Sequence, residues 1–240
     1  MFRYALVFPI APGKTGADVK RITADFAANM DDYRTSRRRL GIAVERTYLQ
    51  TTPAGSMLIA YGESEHDFAE TTRLLVTSDL DIDRRFVDYV AEVHGVDIRT
   101  PPAGPPPKTI GEWVDPKVTS RKKGLAFAAP LLPGKTAAAT AFLHESFVTR
   151  KEQLTESRRA LGQNVEVVTL NPTPMGDFGA VYLEGNDSVE ANRMFAASRR
   201  PYDVWQKEGL KEFFPPEIDF NNPLPPIEQM WDYVAEPVMA

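Results

Sequence analysis

Paired arginines, paired tyrosines and three unpaired histidines are the side chains of this 240-residue chain whose types and spacing could do chemistry. Arg37 and Arg158 follow serines in the strings SRRRLG, from Ser36, and SRRALG, from Ser157, and Tyr61 and Tyr182 recur at the same spacing of 121 residues. A guanidinium on an apolar helix stripe must be paired, either with a protein carboxylate or with a bound anion. Glu45 and Glu166, or Glu63 and Glu184, are at hand for the first role. The second makes Arg37 and Arg158 substrate-binding groups for an anionic molecule. A phenol near a strand end could donate to a carbonyl or enolate oxygen as charge develops on it. Tyr61 and Tyr182 are therefore catalytic candidates, or else core tyrosines whose hydroxyls reach an edge. His66 is the proton-transfer candidate, chosen because the second copy lacks it.

Other chemistries are excluded or set aside. The absence of cysteine rules out disulfides, thiolate nucleophiles and Cys-held clusters. No two histidines have the i, i+4 spacing of a metal site, so no metal is expected, nor any cofactor. His94, just before Gly95, suits an interaction with a helix C-terminus. Lys14 and Lys135 sit in PGKT turns, but a P-loop needs glycine where Phe8 and Ala129 stand. A net charge of -5 argues against nucleic acid and anionic membranes as partners. No apolar run approaches the roughly 20 residues that span a bilayer, and no signal-peptide pattern opens the chain, so a cytoplasmic protein is expected. A small-molecule ligand and assembly into a homo-oligomer remain open.

These side chains must be positioned by a unit that is written twice. Pro12, Gly13, Lys14 and Thr15 match Pro133, Gly134, Lys135 and Thr136, while Pro53, Gly55 and Glu63 match Pro174, Gly176 and Glu184. With 42% hydrophobic residues, each copy can build a core, which predicts domains over 1–120 and 121–240. In the first copy a strand over 4–10 leads through the turn into a helix over 16–40, ended by Gly41. Val19, Ile22, Phe26, Met30, Tyr33, Arg37 and Leu40 form one helical stripe, which turns Arg37 toward the sheet. Leu143, Phe147, Leu154, Arg158 and Leu161 repeat it. Hairpins follow over 44–62 and 165–184. Second helical regions start at Ser64 or Asn186 as caps and break near 78–83 and at Pro201. Short strands over 96–98 and 218–220 complete a βαββαβ order, a four-stranded antiparallel sheet with helices on one face. Met57, Leu58, Ile59 and Ala60 are apolar on both parities, so the other sheet face is expected to be buried too.

The PGKT turn, the βαββαβ order and the doubled unit resemble the dimeric α/β-barrel superfamily. It includes antibiotic-biosynthesis monooxygenases, stress-responsive barrel proteins, EthD-like proteins and chlorite dismutases. The segment FVDYVAEVHGVD from Phe86 resembles their second helix running into the last strand. The resemblance implies an α+β fold of two tandem ferredoxin-like βαββαβ units packed sheet to sheet as a dimeric-type α/β barrel, here within one chain. It also implies ligands held between a sheet and its helices. By analogy with the chlorite dismutases, His144 or His66 would be asked to hold heme, a remote alternative.

Each copy also ends in a proline-rich tail, from Pro101 to Trp113 and from Asn222 to Trp231. Prolines hold such a segment extended, and a tryptophan can bury a large apolar area. The tails are therefore straps, or Trp113 and Trp231 are substrate-binding lids. Two functions follow. One is a cofactor-independent monooxygenase-, isomerase- or lyase-like enzyme on a small anionic or carbonyl compound. The other is a non-catalytic, stress-associated or structural oligomeric barrel. Divergence between copies, as in His66 against Asp187, Arg84 against Trp205 and Arg39 against Ala160, favours the enzyme.

Overall fold

The computed structural model describes residues 1–53, 55–100 and 104–235. The chain separates into two compact units, 1–106 with 228–240, and 107–227. Each has the α+β composition expected, with a four-stranded antiparallel sheet. The first unit holds β1 (Phe2–Pro9), α1 (Gly16–Ala28), α2 (Met30–Arg39), β2 (Ile42–Thr52), β3 (Gly55–Ser64), α3 (Phe68–Val76), α4 (Asp81–His94) and β8 (Glu228–Val234). The second holds β4 (Lys108–Val114), β5 (Lys123–Pro130), α5 (Thr136–His144), α6 (Lys151–Ala160), β6 (Gln163–Thr173), β7 (Gly176–Gly185), α7 (Ser188–Ala197) and α8 (Pro201–Leu210). Strand orders are β1-β3-β2-β8 and β5-β7-β6-β4.

The fourth strands differ from those expected. Residues 96–98 and 218–220 form turns, because Asp97 and Asp219 each accept backbone amides two residues on, from Arg99 at 3.1 Å and Asn221 at 2.9 Å. The strands come instead from the tails, and each joins the sheet of the other copy: β4 pairs with β6 and β8 with β2. The division therefore falls at residues 106 and 227 rather than at 120. Of the first proline-rich tail, residues 101–103 lie outside the described residues.

The long first helix is also interrupted. Thr15 and Asp18 close a capping box at its start, but the Asn29 side chain bonds the Asp25 carbonyl at 2.9 Å and splits α1 from α2. In the second copy a π-turn, Glu145–Thr149, separates α5 from α6. The second helical regions are capped by Asp67 and Asp187, not by Ser64 or Asn186. They break as expected, between α3 and α4 and before Pro201, which occupies the first turn of α8.

Strand alternation sorts side chains onto two faces. In the first sheet Leu58 and Ala60 face the helices, opposite Phe8, Leu6 and Thr47. Ile59, Tyr61 and Glu63 take the other face and are fully buried. The helix-side core comprises Val19, Ile22 and Phe26 of α1, Tyr33 of α2, and Val90 and Val93 of α4.

Candidate functional site

Between the first sheet and its helices lies a cavity in which the centre of a water molecule can occupy about 40 Å³. That is room for a few waters, since one needs roughly 10–15 Å³ on this measure. Most of the wall is apolar: Phe8, Val19, Ile22, Phe26, Leu58 and Phe86. Besides the Trp231 indole, five lining residues are polar, one of them Thr23 of α1, whose hydroxyl donates to the Lys20 carbonyl at 3.1 Å. Thr47 and Glu45 come from β2, where alternation aims both at the helices, and Tyr89 and His94 come from α4.

Two of these are under-used. The Tyr89 hydroxyl and Thr47 Oγ1 are buried without a hydrogen-bond partner, an arrangement that costs free energy unless a ligand or water completes it. His94 Nδ1 lies 3.0 Å from the Pro9 carbonyl oxygen. A carbonyl can only accept, so Nδ1 carries the proton and the neutral ring's Nε2 keeps a lone pair. Burial pulls the His94 pKa below its ordinary 6.5, and hydrogen bonds to the Pro9 and Phe8 carbonyls oppose the fall only in part. The ring packs against Phe8 and edge-on to Tyr89, with centroids 5.4 and 5.6 Å away. Burial also raises the Tyr89 phenol, which stays protonated and able to donate.

A hydrogen-bonded chain closes one end of the cavity. Trp231 Nε1 donates to the Tyr33 hydroxyl at 2.8 Å, and that hydroxyl donates to Glu45 at 2.8 Å. The Arg37 guanidinium donates to the same carboxylate and lies 3.5 Å from Asp83 and 4.2 Å from the Tyr33 ring centroid. Burial disfavours its charge, but Glu45 and Tyr33 outweigh that and raise the pKa. In the second unit Arg158 likewise bonds Glu166 and Gln206, beside Asp203. Both guanidinia are thus occupied by protein groups.

The other expected site residues lie elsewhere. Tyr61 and Tyr182 donate to Glu63 and Glu184 at 2.6 and 2.8 Å on the sheet faces turned away from the helices. His66 falls in the link between β3 and α3, which is one residue longer than its counterpart: Glu65 and Asn186 make matching backbone bonds, and Asp67 and Asp187 are matching caps. His66 is therefore an inserted residue, and Asp187 matches Asp67 instead. The spacing is 120 residues from there on, so Trp205 stands where Arg85 does, not Arg84. His144 is exposed. Arg159, next to Arg158, makes a bidentate pair with Asp115 at 2.7 and 2.9 Å. Among the described residues no three His, Asp or Glu side chains gather as a metal site, and no helix is long and apolar enough to cross a membrane.

The two tail tryptophans, paired by their place at the tail ends, are not equivalents. Trp113 stands opposite Glu166, as Tyr233 does opposite Glu45, and Trp231 takes the position that is Gly111 in the second unit. Trp113 is buried among Leu143, Phe147 and Leu154, with Nε1 donating to Thr155 at 2.9 Å. Trp231 alone of the two lines the cavity.

Sequence reading missed His94, Tyr89 and Thr47. The signal for the first was present, since no histidine of one copy is matched in the other. Tyr89 and Thr47 gave none, because only the fold shows their hydroxyls to be unpartnered.

No family model and no curated relative matches the sequence. Solved structures do match, across 98% of this chain. One is an anthrone oxidase-like protein, 8% identical over 95% of its own length at a TM-score of 0.50. Another is a Lactobacillus acidophilus protein provisionally named a monooxygenase, 7% identical over 97% of its length, also at 0.50. At such identities the likeness is one of fold.

Proposed function

We propose that the first unit binds a small, neutral, largely apolar organic molecule in its helix–sheet cavity and takes a proton from it with His94 Nε2, as a cofactor-independent monooxygenase-like enzyme. The observation that carries this reading is that a neutral imidazole and two residues with unpartnered hydroxyls line one largely apolar space. Perturbed titratable groups in such a setting are the usual marks of a working site. A neutral substrate suits the site better than an anion, because Arg37 is already committed to Glu45, which itself lines the wall.

His94 supplies a base that is neutral at pH 7 and whose tautomer is fixed by Pro9. As the substrate carbon or oxygen loses its proton, negative charge grows on a conjugated oxygen. The Tyr89 and Thr47 hydroxyls then donate to it, so they are satisfied most fully in the transition state. With dioxygen as co-substrate, an activated CH2 becomes C=O: one oxygen atom enters the product and the other leaves as water with the two hydrogens. The names of the two solved structures support this choice over isomerisation.

The cavity as it stands is smaller than any such molecule, so a wall must move to admit one. Trp231 is a half-buried wall residue on an edge strand, and its displacement breaks its hydrogen bond to Tyr33. The test is oxygen uptake with a panel of neutral phenols and cyclic ketones, run on the natural protein and on His94→Phe. Turnover that survives His94→Phe unchanged rejects the assignment of the base.

A further inference from the structure

The two copies differ at several positions that line the cavity. We infer that the chain carries one ligand site, in the first unit, and that the second unit's version of it is plugged by three phenylalanines, each seated on a glycine. The inference rests on the cavity reading above and adds the location and number of sites.

The equivalences are set by backbone bonds. Ala11 N–H bonds the Val93 carbonyl, and Leu132 N–H bonds that of Phe213, at 2.9 and 2.8 Å. Hence Gly209 stands for Tyr89 and Phe214 for His94, while β6 places Val168 at Thr47. Every polar group that makes the first cavity chemically competent is thereby lost. The space is lost as well. A Cβ on Gly209 would fall 2.2 Å from the Phe142 ring, so that ring occupies the room a tyrosine would need. Gly111 replaces Trp231, and a Cβ there would meet the Phe147 ring at 2.8 Å. Gly179 replaces Leu58, with the Phe214 ring 3.5 Å from where its Cβ would be. Phe142 is held in turn by Trp205 and Phe213, at centroid distances of 4.8 and 5.5 Å.

Three separate exchanges of a large wall residue for glycine, each filled by an aromatic ring, turn a cavity into core. Close packing leaves such a region no room for a ligand. The second copy then serves as scaffold: the first copy's tail, β4, completes its sheet, and its own tail, β8, carries Trp231 to the working one.

Xenon is a suitable probe, because it is a small apolar atom of the kind that enters dry apolar cavities. The full chain, labelled with nitrogen-15, is titrated with dissolved xenon and read by amide shifts. Saturable shifts are expected at Thr47, Ala60 and Val90, with none at Val168, Val181 and Leu210. Saturable shifts at the second set overturn the inference while leaving the first cavity standing. Silence at both sets sinks the cavity reading and this inference together. Phe142→Ala, at a half-buried position, is expected to create a new xenon response at Leu210. Its failure to do so overturns the plug.

Discussion

Trp231 and Tyr33 are 198 residues apart in sequence, yet the indole N–H of the first donates to the hydroxyl of the second at 2.8 Å. The exchanged strand is thereby tied to the buried Arg37–Glu45 pair, since the same hydroxyl donates onward to Glu45. Trp231→Phe keeps an apolar ring against Phe26 and removes one donor, while Tyr33 keeps its own donation. The expected loss is that of a single neutral hydrogen bond, about 1 kcal/mol. Trp231→Gly, the residue found at the equivalent position, removes the ring as well and is expected to cost roughly 3–5 kcal/mol. Urea unfolding of both variants checks this, and equal losses would show that the tether, not the ring, holds the strand.

His94 links the site to pH. Its folded pKa lies below the ordinary 6.5, so between those two values the unfolded chain binds the proton and the folded chain does not. Stability therefore declines as pH falls through that window and levels off below the folded pKa. His94→Phe, which installs the side chain of Phe214, is expected to flatten this slope. The same titration predicts that kcat/KM falls on acidification only below 6.5, where Nε2 becomes protonated. An acid limb centred above 6.5 would assign the base to another group.

The repeat made much of the fold legible. Glycines at 41 and 162 and the hairpins around Pro53 and Pro174 are local signals, and local signals survive into structure. The strand exchange was not legible, because KTIGEWV and EQMWDYV carry strand character without saying which sheet they join. Copy-to-copy matching also misled. Trp113 and Trp231 look equivalent as tail ends, but their spacing of 118 residues fits neither the 121 that holds before His66 nor the 120 that holds after the extra residue there. For the site, matched residues drew attention, and matched residues turned out to be what both copies need to fold. The Arg37–Glu45 and Tyr61–Glu63 pairs recur as Arg158–Glu166 and Tyr182–Glu184. Chemistry that only one copy performs must lie among unmatched residues, such as Tyr89 and His94.

The arginine pairs give a prediction about stability alone. Arg37→Met strands Glu45 and Asp83 near the core without their cation, and Arg158→Met does the same to Glu166 and Asp203. Removing one partner of a buried pair is expected to cost about 3–5 kcal/mol. The double variant Arg37→Met/Glu45→Met should lose less than the sum of the single losses, as coupled neighbours do. Strict additivity in denaturant unfolding would mean that the pair is not coupled.

Two tyrosines of the first unit separate structure from chemistry. Tyr61 donates to a carboxylate with no solvent exposure, so Tyr61→Phe leaves Glu63 short of a donor and is expected to cost about 1–3 kcal/mol. Its hydroxyl lies on the sheet face away from the cavity, so ligand binding should not change. Tyr89→Phe should behave in the opposite way. Its hydroxyl is buried and unpartnered, so removing it relieves a cost and should hold or raise the unfolding midpoint. If that hydroxyl donates to developing charge on the substrate, its loss should lower kcat by about 10²–10³-fold. Measuring unfolding midpoint and turnover on both variants places each tyrosine on one side of the division. A Tyr89→Phe protein that is less stable but fully active would remove Tyr89 from the site and leave His94 without a donor beside it on α4.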